Sequence, residues 1–148
     1  MRGTNLMNET ALINEYSGSH QNPINQLIHF FCVPVIFFNV VALVYALTPP
    51  VVTGVAVGAS LIFYFRCMRS FLPHMIVLYA LVLGLSALFA GYRAFVPVNI
   101  ALFVVAWIGQ FYGHKVEGKK PSFFKDVFFL LVGPAWVSEK LRLKFIHG

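Results

Sequence analysis

The chain has 148 residues, 59% of them hydrophobic, 16% aromatic and only 11% charged, with a mean hydropathy of +0.77. Soluble domains carry roughly 25% charged residues, so this composition excludes an ordinary soluble fold and predicts an integral membrane protein. The formal net charge of +6 does not point to nucleic acid, because the basic residues form no stripe interleaved with exposed aromatics. Most of them follow the fourth long apolar run, where orientation in the bilayer and anionic lipid headgroups account for them.

Residues 1–22 are largely polar, with Glu9, Glu15 and several Asn and Ser, unlike the basic tip and short apolar core of a secretory signal. Asn22 followed by Pro23 predicts a helix start, since the Asn side chain can cap free N–H groups and Pro suits the first helical position. The apolar run that follows reaches Leu47 and ends at Pro49-Pro50. A second run, Val51–Phe65, falls slightly short of the roughly 17 residues needed to cross the hydrocarbon, so it should lie near the membrane normal or borrow from its flanks. Its Gly54 and Gly58 predict the close approach of a neighbouring helix. The third and fourth runs are Phe71–Ala90 and Ala94–Tyr112. A fifth, Ser122–Val137, is short, carries Lys125 and Asp126 and is interrupted by Gly133-Pro134, so it reads as an interfacial or re-entrant helix.

The expected fold is therefore all-α: an integral membrane bundle of four transmembrane helices plus a C-terminal interfacial or re-entrant helix. It forms one domain over 1–148, with a polar segment at 1–22, the bundle at 23–112, and a cytoplasmic motif, interfacial helix and basic tail at 113–148. Arg66 and Arg69 lie between spans two and three, and seven Lys or Arg follow span four, so the positive-inside rule puts both termini in the cytoplasm. This is the expectation for a multi-pass protein of a bacterial inner membrane or the ER membrane. Cys32 and Cys67, far apart and in or beside apolar segments, read as packing residues.

Three histidines stand at the polar ends of these runs. Asn22, Asn25, Gln26 and His29 recur at i, i+3, i+4 and i+7 on one face of the first span, and His20 lies just before it. Gln110, Gly113, His114 and Glu117 do the same at the end of span four if its helix continues that far. Polar stripes at this depth are expensive unless they meet each other, water or an ion, so the two should converge. Neutral imidazole binds Fe, Zn or Cu, and His with a carboxylate and open positions suits a ferrous ion that must hold both substrate and oxygen. His20, His29 and His114 are the candidate metal ligands, with Glu117 as a catalytic carboxylate. Asn25 and Gln110 are possible additional members of the site, as is His74, which follows Pro73 at the same membrane face. His147 is expected to be solvated.

The segment Tyr16-x3-His20-x-Asn22-Pro23-x-Asn25-x3-His29, followed by Pro34, and the later Trp107-x2-Gln110-x2-Gly113-His114 with Glu117 and Pro121, carry a resemblance. They resemble the membrane-bound 2-hydroxy-fatty-acid dioxygenases first known from fungal phytosphingosine breakdown. The resemblance covers nearly the whole chain. It implies an Fe(2+)-dependent enzyme that shortens a 2-hydroxy fatty acid by one carbon with O2 and without 2-oxoglutarate, His20, His29 and His114 matching the family's histidines. The fungal pattern sets its Glu one residue further from the histidine than Glu117, and Gln21 and Ser19 stand where it carries a second His and an aromatic. Those departures imply a smaller or different ligand set. Lys115, Lys119 or Lys120 would pair with the substrate carboxylate or with lipid phosphate. Phe123, Phe124, Phe128 and Phe129 would roof the site and guide the acyl tail.

Two alternatives belong to other classes. One is a non-catalytic membrane scaffold or transporter subunit whose polar stripes only hold helices together; the nearly apolar spans beyond His29 and Gln110 disfavour a pore. The other is a zinc-dependent lipid hydrolase using the same histidines.

Overall fold

The first helix grows from the polar N-terminal segment, in which Glu9, Leu12, Ile13 and Tyr16 recur at helical spacing and turn toward the protein. This helix, α1 (Gly3–Gly18), lies against the end of the bundle. The computed structural model describes residues 3–118 and 123–147, and the side chains of residues 9–118 and 128–143. Within those residues the chain is all-helical: α2 (Pro23–Leu47), α3 (Pro50–Cys67), a 3-10 turn at Arg69–Phe71, α4 (Leu72–Phe89), α5 (Phe95–Glu117) and α6 (Phe123–His147) follow α1.

Asn22 starts α2 as its sequence predicts: its side chain accepts a hydrogen bond from Ile24 N at 2.9 Å, and Pro23 occupies the first turn. The helix stops at Thr48, whose hydroxyl donates to Val44 O at 2.7 Å, ahead of Pro49-Pro50. Helix α3 gains Pro50 at one end and Arg66-Cys67 at the other, which brings the short second run to 18 residues. Helix α5 continues past Tyr112 to Glu117, so the whole polar stripe lies on one helix, closed by Gly118 at φ 73°. The described residues hold four helical stretches long and apolar enough to cross a membrane: Pro23–Leu47, Pro50–Cys67, Arg69–Phe89 and Phe95–Glu117. Their outer faces expose large apolar side chains such as Val55, Ile62, Leu81, Val105 and Ile108, as lipid contact requires.

Helix α2 is the hub, packing on α3, α4, α5 and α6, and its pairing with α5 is the most extensive in the fold. Two glycines allow that intimacy. A Cβ built at Gly109 would lie 2.9 Å from Cys32 Sγ, and one at Gly113 would collide with Asn25 Oδ1 and sit 3.2 Å from the His29 ring. The close approach expected at Gly54 and Gly58 does not occur: among the described residues nothing lies within 4 Å of a Cβ at either. Helix α3 turns Thr53, Ser60 and Tyr64 inward instead, and that rotation leaves the two glycines on another face.

The expected interruption at Gly133-Pro134 is also corrected. Helix α6 runs through both residues to His147. Gly133 is small enough for α6 to sit on α2 and α1, where a Cβ would be 2.7 Å from Val33 Cγ1 and 3.3 Å from Tyr16 Oη. Pro134 only withholds one ladder hydrogen bond. Tyr64 from α3 donates its hydroxyl to Leu131 O, and Val132, Ala135 and Trp136 are buried in the core. Both cysteines are free and half-buried, as packing residues would be.

Candidate metal centre

His20 sits in the short connection between α1 and α2, His29 two turns into α2 and His114 near the end of α5; all three are buried. Their ring centroids are 4.2 Å apart for His20 and His29, 5.1 Å for His29 and His114, and 6.0 Å for His20 and His114. The two polar stripes therefore converge.

Backbone geometry fixes the orientation of two rings. His20 Nδ1 donates to Tyr16 O at 2.7 Å and His29 Nδ1 donates to Asn25 O at 3.0 Å, each to the carbonyl four residues back. A carbonyl only accepts, so these bonds put the proton on Nδ1 and the ring lone pair on Nε2. The same arrangement orients metal-bound histidines in general. Tyr16 also stacks on His20 at 4.2 Å and 15°, and Trp136 from α6 flanks the pair while donating its indole N–H to Ser17 Oγ at 3.0 Å.

The Glu117 carboxylate acts across the helices. Its Oε1 accepts from Gln21 N at 2.9 Å, and its Oε2 accepts from both Asn22 N and Asn25 Nδ2 at 2.9 Å. It thus ties the end of α5 to the start of α2, where backbone N–H groups and the helix dipole favour a negative charge. Asn25 extends the chain of contacts, since its side chain binds Glu117 while its backbone carbonyl holds His29. Gln26 braces the same turn by donating to His20 O at 2.8 Å.

A cavity of about 20 Å³ lies beside the rings, room for a molecule about the size of water. Tyr16, His20, His29, Trp107 and Gln110 line its polar side, and Val33, Ile36, Phe129 and Leu130 its apolar side. The Trp107 indole N–H is buried without a hydrogen-bond partner among the described residues. Trp107 marks the resemblance as a motif residue, but its place in the cavity wall depends on α5 packing against α2. Gln110 is buried at this cavity, and Asn25 is buried behind His29.

His74 is elsewhere. It is exposed at the start of α4 and lines a separate cleft with Glu9, Ser70, Glu139 and Arg142. There Ser70 N donates to Glu9 Oε2 at 3.2 Å, and Glu139 pairs with Arg142 at 2.9 Å, a hydrogen bond that raises the guanidinium pKa further. Of the phenylalanines expected to roof the site, Phe129 is buried edge-on against Tyr16 at 5.1 Å, while Phe128 is exposed and meets Phe63. Lys119 and Lys120 lie outside the described residues, as do the side chains of Phe123, Phe124 and His147. Lys115 is exposed.

Three imidazoles sharing one metal at about 2.0–2.1 Å hold their centroids roughly 4.5–5.5 Å apart. The observed spacings bracket that range. Among the described residues, no group of three His, Cys, Asp or Glu side chains is arranged to hold a metal ion, so binding one would require the imidazoles to shift from these positions. The donor chemistry fits: two rings present Nε2 on buried, carbonyl-anchored supports, and the carboxylate behind them is committed to N–H donors.

The 2-hydroxy-palmitic acid dioxygenase Mpo1-like family matches residues 8–145. The chain belongs to this family. The match runs from within α1 to almost the end of α6, and so includes His20, His29 and His114 with the segments that carry them. No curated protein and no solved structure shows significant similarity to the chain.

Proposed function

We propose that this protein is an iron(II)-dependent dioxygenase that converts a 2-hydroxy fatty acid and O2 into the fatty acid one carbon shorter. The observation that carries the proposal is the buried cluster of His20, His29 and His114 beside a cavity of about 20 Å³, in a chain whose family is named for a 2-hydroxy-palmitic acid dioxygenase. Iron bound by the three imidazoles would supply open positions for the substrate's carboxylate and hydroxyl and for O2, and the redox capacity to join them.

The rest falls to the chain's own residues. The carbonyls of Tyr16 and Asn25 hold two rings with Nε2 as the donor atom, and Glu117 positions the turn that carries Asn25. Val33, Ile36, Phe129 and Leu130 keep water away from the reacting carbons. Trp107 offers an indole N–H, and Lys119 and Lys120 a positive charge, to the substrate carboxylate. The overall change, R–CHOH–COOH + O2 → R–COOH + CO2 + H2O, balances in atoms and in four electrons with no 2-oxoglutarate. Arg66, Arg69 and the basic tail favour a cytoplasmic orientation for the site in a bacterial inner or ER membrane, where lipid supplies the substrate.

An oxygen electrode tests the reaction. Iron-loaded protein with 2-hydroxypalmitate should consume one O2 per acid and release the fifteen-carbon acid; no uptake with any 2-hydroxy acid would sink the proposal.

A further inference from the structure

The cavity beside the histidines is far too small for an acyl chain, so a long substrate must place its tail elsewhere. A second cavity of about 160 Å³ opens further along α2, between α2, α3, α4 and α6. Phe37, Val41, Val44, Val57, Leu130 and Leu131 give it apolar walls. Its size is close to that of an apolar protein cavity of roughly 150 Å³ that takes up benzene, so it accommodates a segment of hydrocarbon chain.

Three observations connect the two spaces. Leu130 lies in the wall of both, and the neighbours Ile36 and Phe37 on α2 line one each. The two cavities thus share part of a wall. Pro134 also has no N–H to offer the Leu130 carbonyl four residues earlier. The length is suitable: from His29 to Val44, fifteen residues of α2 rise roughly 22 Å, more than the roughly 15 Å that lipid tails fill in one leaflet. The polar groups of the wall are mostly satisfied internally, with Ser60 Oγ 2.6 Å from Tyr79 Oη. Thr53, whose buried hydroxyl has no partner among the described residues, marks the far end near Val44.

We propose that this second cavity is the acyl-tail chamber of the enzyme, entered past Leu130 and Phe37, and that residues at Val57 and Val44 set the chain length accepted. The proposal rests on the 2-hydroxy fatty acid reading above. A tail leaving lipid for this chamber gains little hydrophobic free energy, since lipid is equally apolar. Selection here is therefore steric, and wrongly sized chains are rejected by shape.

Photolabelling of the full-length protein in lipid nanodiscs tests this without turnover, using 2-hydroxypalmitate that carries a terminal diazirine. Labels on residues 40–44 of α2 or 53–60 of α3, displaced by excess 2-hydroxypalmitate, are expected. Labels confined to lipid-facing positions such as Ile62 or Ile76, labels that excess acid does not displace, or no labelling at all would overturn the chamber. Correct labelling with no oxygen uptake would instead support the chamber and sink the oxidative reading. In the active enzyme, Val57→Trp should lower kcat/KM for the sixteen-carbon acid about 10-fold or more while an eight-carbon acid is little affected, and Ile62→Trp on the outer face should leave both unchanged. An unaltered chain-length profile in a folded Val57→Trp variant would also overturn the proposal.

Discussion

Glu117→Ala separates a positioning carboxylate from a metal ligand. The wild-type side chain accepts hydrogen bonds of 2.9 Å from Gln21 N, Asn22 N and Asn25 Nδ2, among other interactions. Hydrogen bonds to a charged group contribute about 1.5–3 kcal/mol each, but the exposed Gln21 amide regains water on truncation. The two half-buried bonds then dominate, and the net loss should be about 3–6 kcal/mol. For a chain of this size that lowers the melting temperature by on the order of 10 °C. Because Asn25 also carries the carbonyl that orients His29, iron affinity should fall about 10–100-fold as well, as for other outer partners of metal ligands. Glu117→Gln should fall between, since its amide N–H2 faces donors on one side. Thermal unfolding and iron titration in detergent, run on all three proteins, give the answer. A Glu117→Ala protein that melts with the wild type yet binds no iron would refute the positioning role and make the carboxylate a ligand.

Gly113→Ala should cost about 1–3 kcal/mol and reduce iron occupancy, because its methyl group collides with Asn25 Oδ1 and presses on His29; melting curves with metal analysis would show it, and a wild-type profile would contradict the packing of α5 on α2. Trp107→Phe keeps the ring and removes the N–H, so kcat/KM for a 2-hydroxy acid should fall about tenfold with iron content unchanged. An unaltered kcat/KM would remove Trp107 from substrate binding. His74→Ala should retain wild-type iron content and oxygen uptake, since His74 lines a different cleft; loss of iron would show that it joins the centre.

Much of the frame is written in local sequence. Asn22-Pro23 starts α2 by chemistry confined to three residues, and the i, i+3, i+7 recurrence that puts Asn25 and His29 on one face holds for any helix. Convergence with His114 follows from two polar stripes at one membrane face, each costly alone. The details that escape sequence depend on rotation and docking. Gly54 and Gly58 have the spacing of a packing pair, yet which face of α3 turns inward is decided by Thr53, Ser60 and Tyr64. The glycines at close approach are Gly109, Gly113 and Gly133. The sequence puts His74 at the same expected membrane face as the cluster, but in the fold it lines a cleft with residues of α1 and α6, a direction no periodicity reports. Glu117 keeps its place near the histidines, while its carboxylate is claimed by the N-terminus of α2, a partner more than 90 residues away in sequence.

X-ray absorption on iron-loaded, detergent-purified protein tests the proposed centre most directly, paired with metal analysis of His20→Ala, His29→Ala and His114→Ala. One iron per chain with three imidazole nitrogens at about 2.0–2.2 Å is expected, and each substitution should abolish stoichiometric binding. Iron absent from the wild type, or retained at full occupancy by all three variants, would contradict a histidine-held centre.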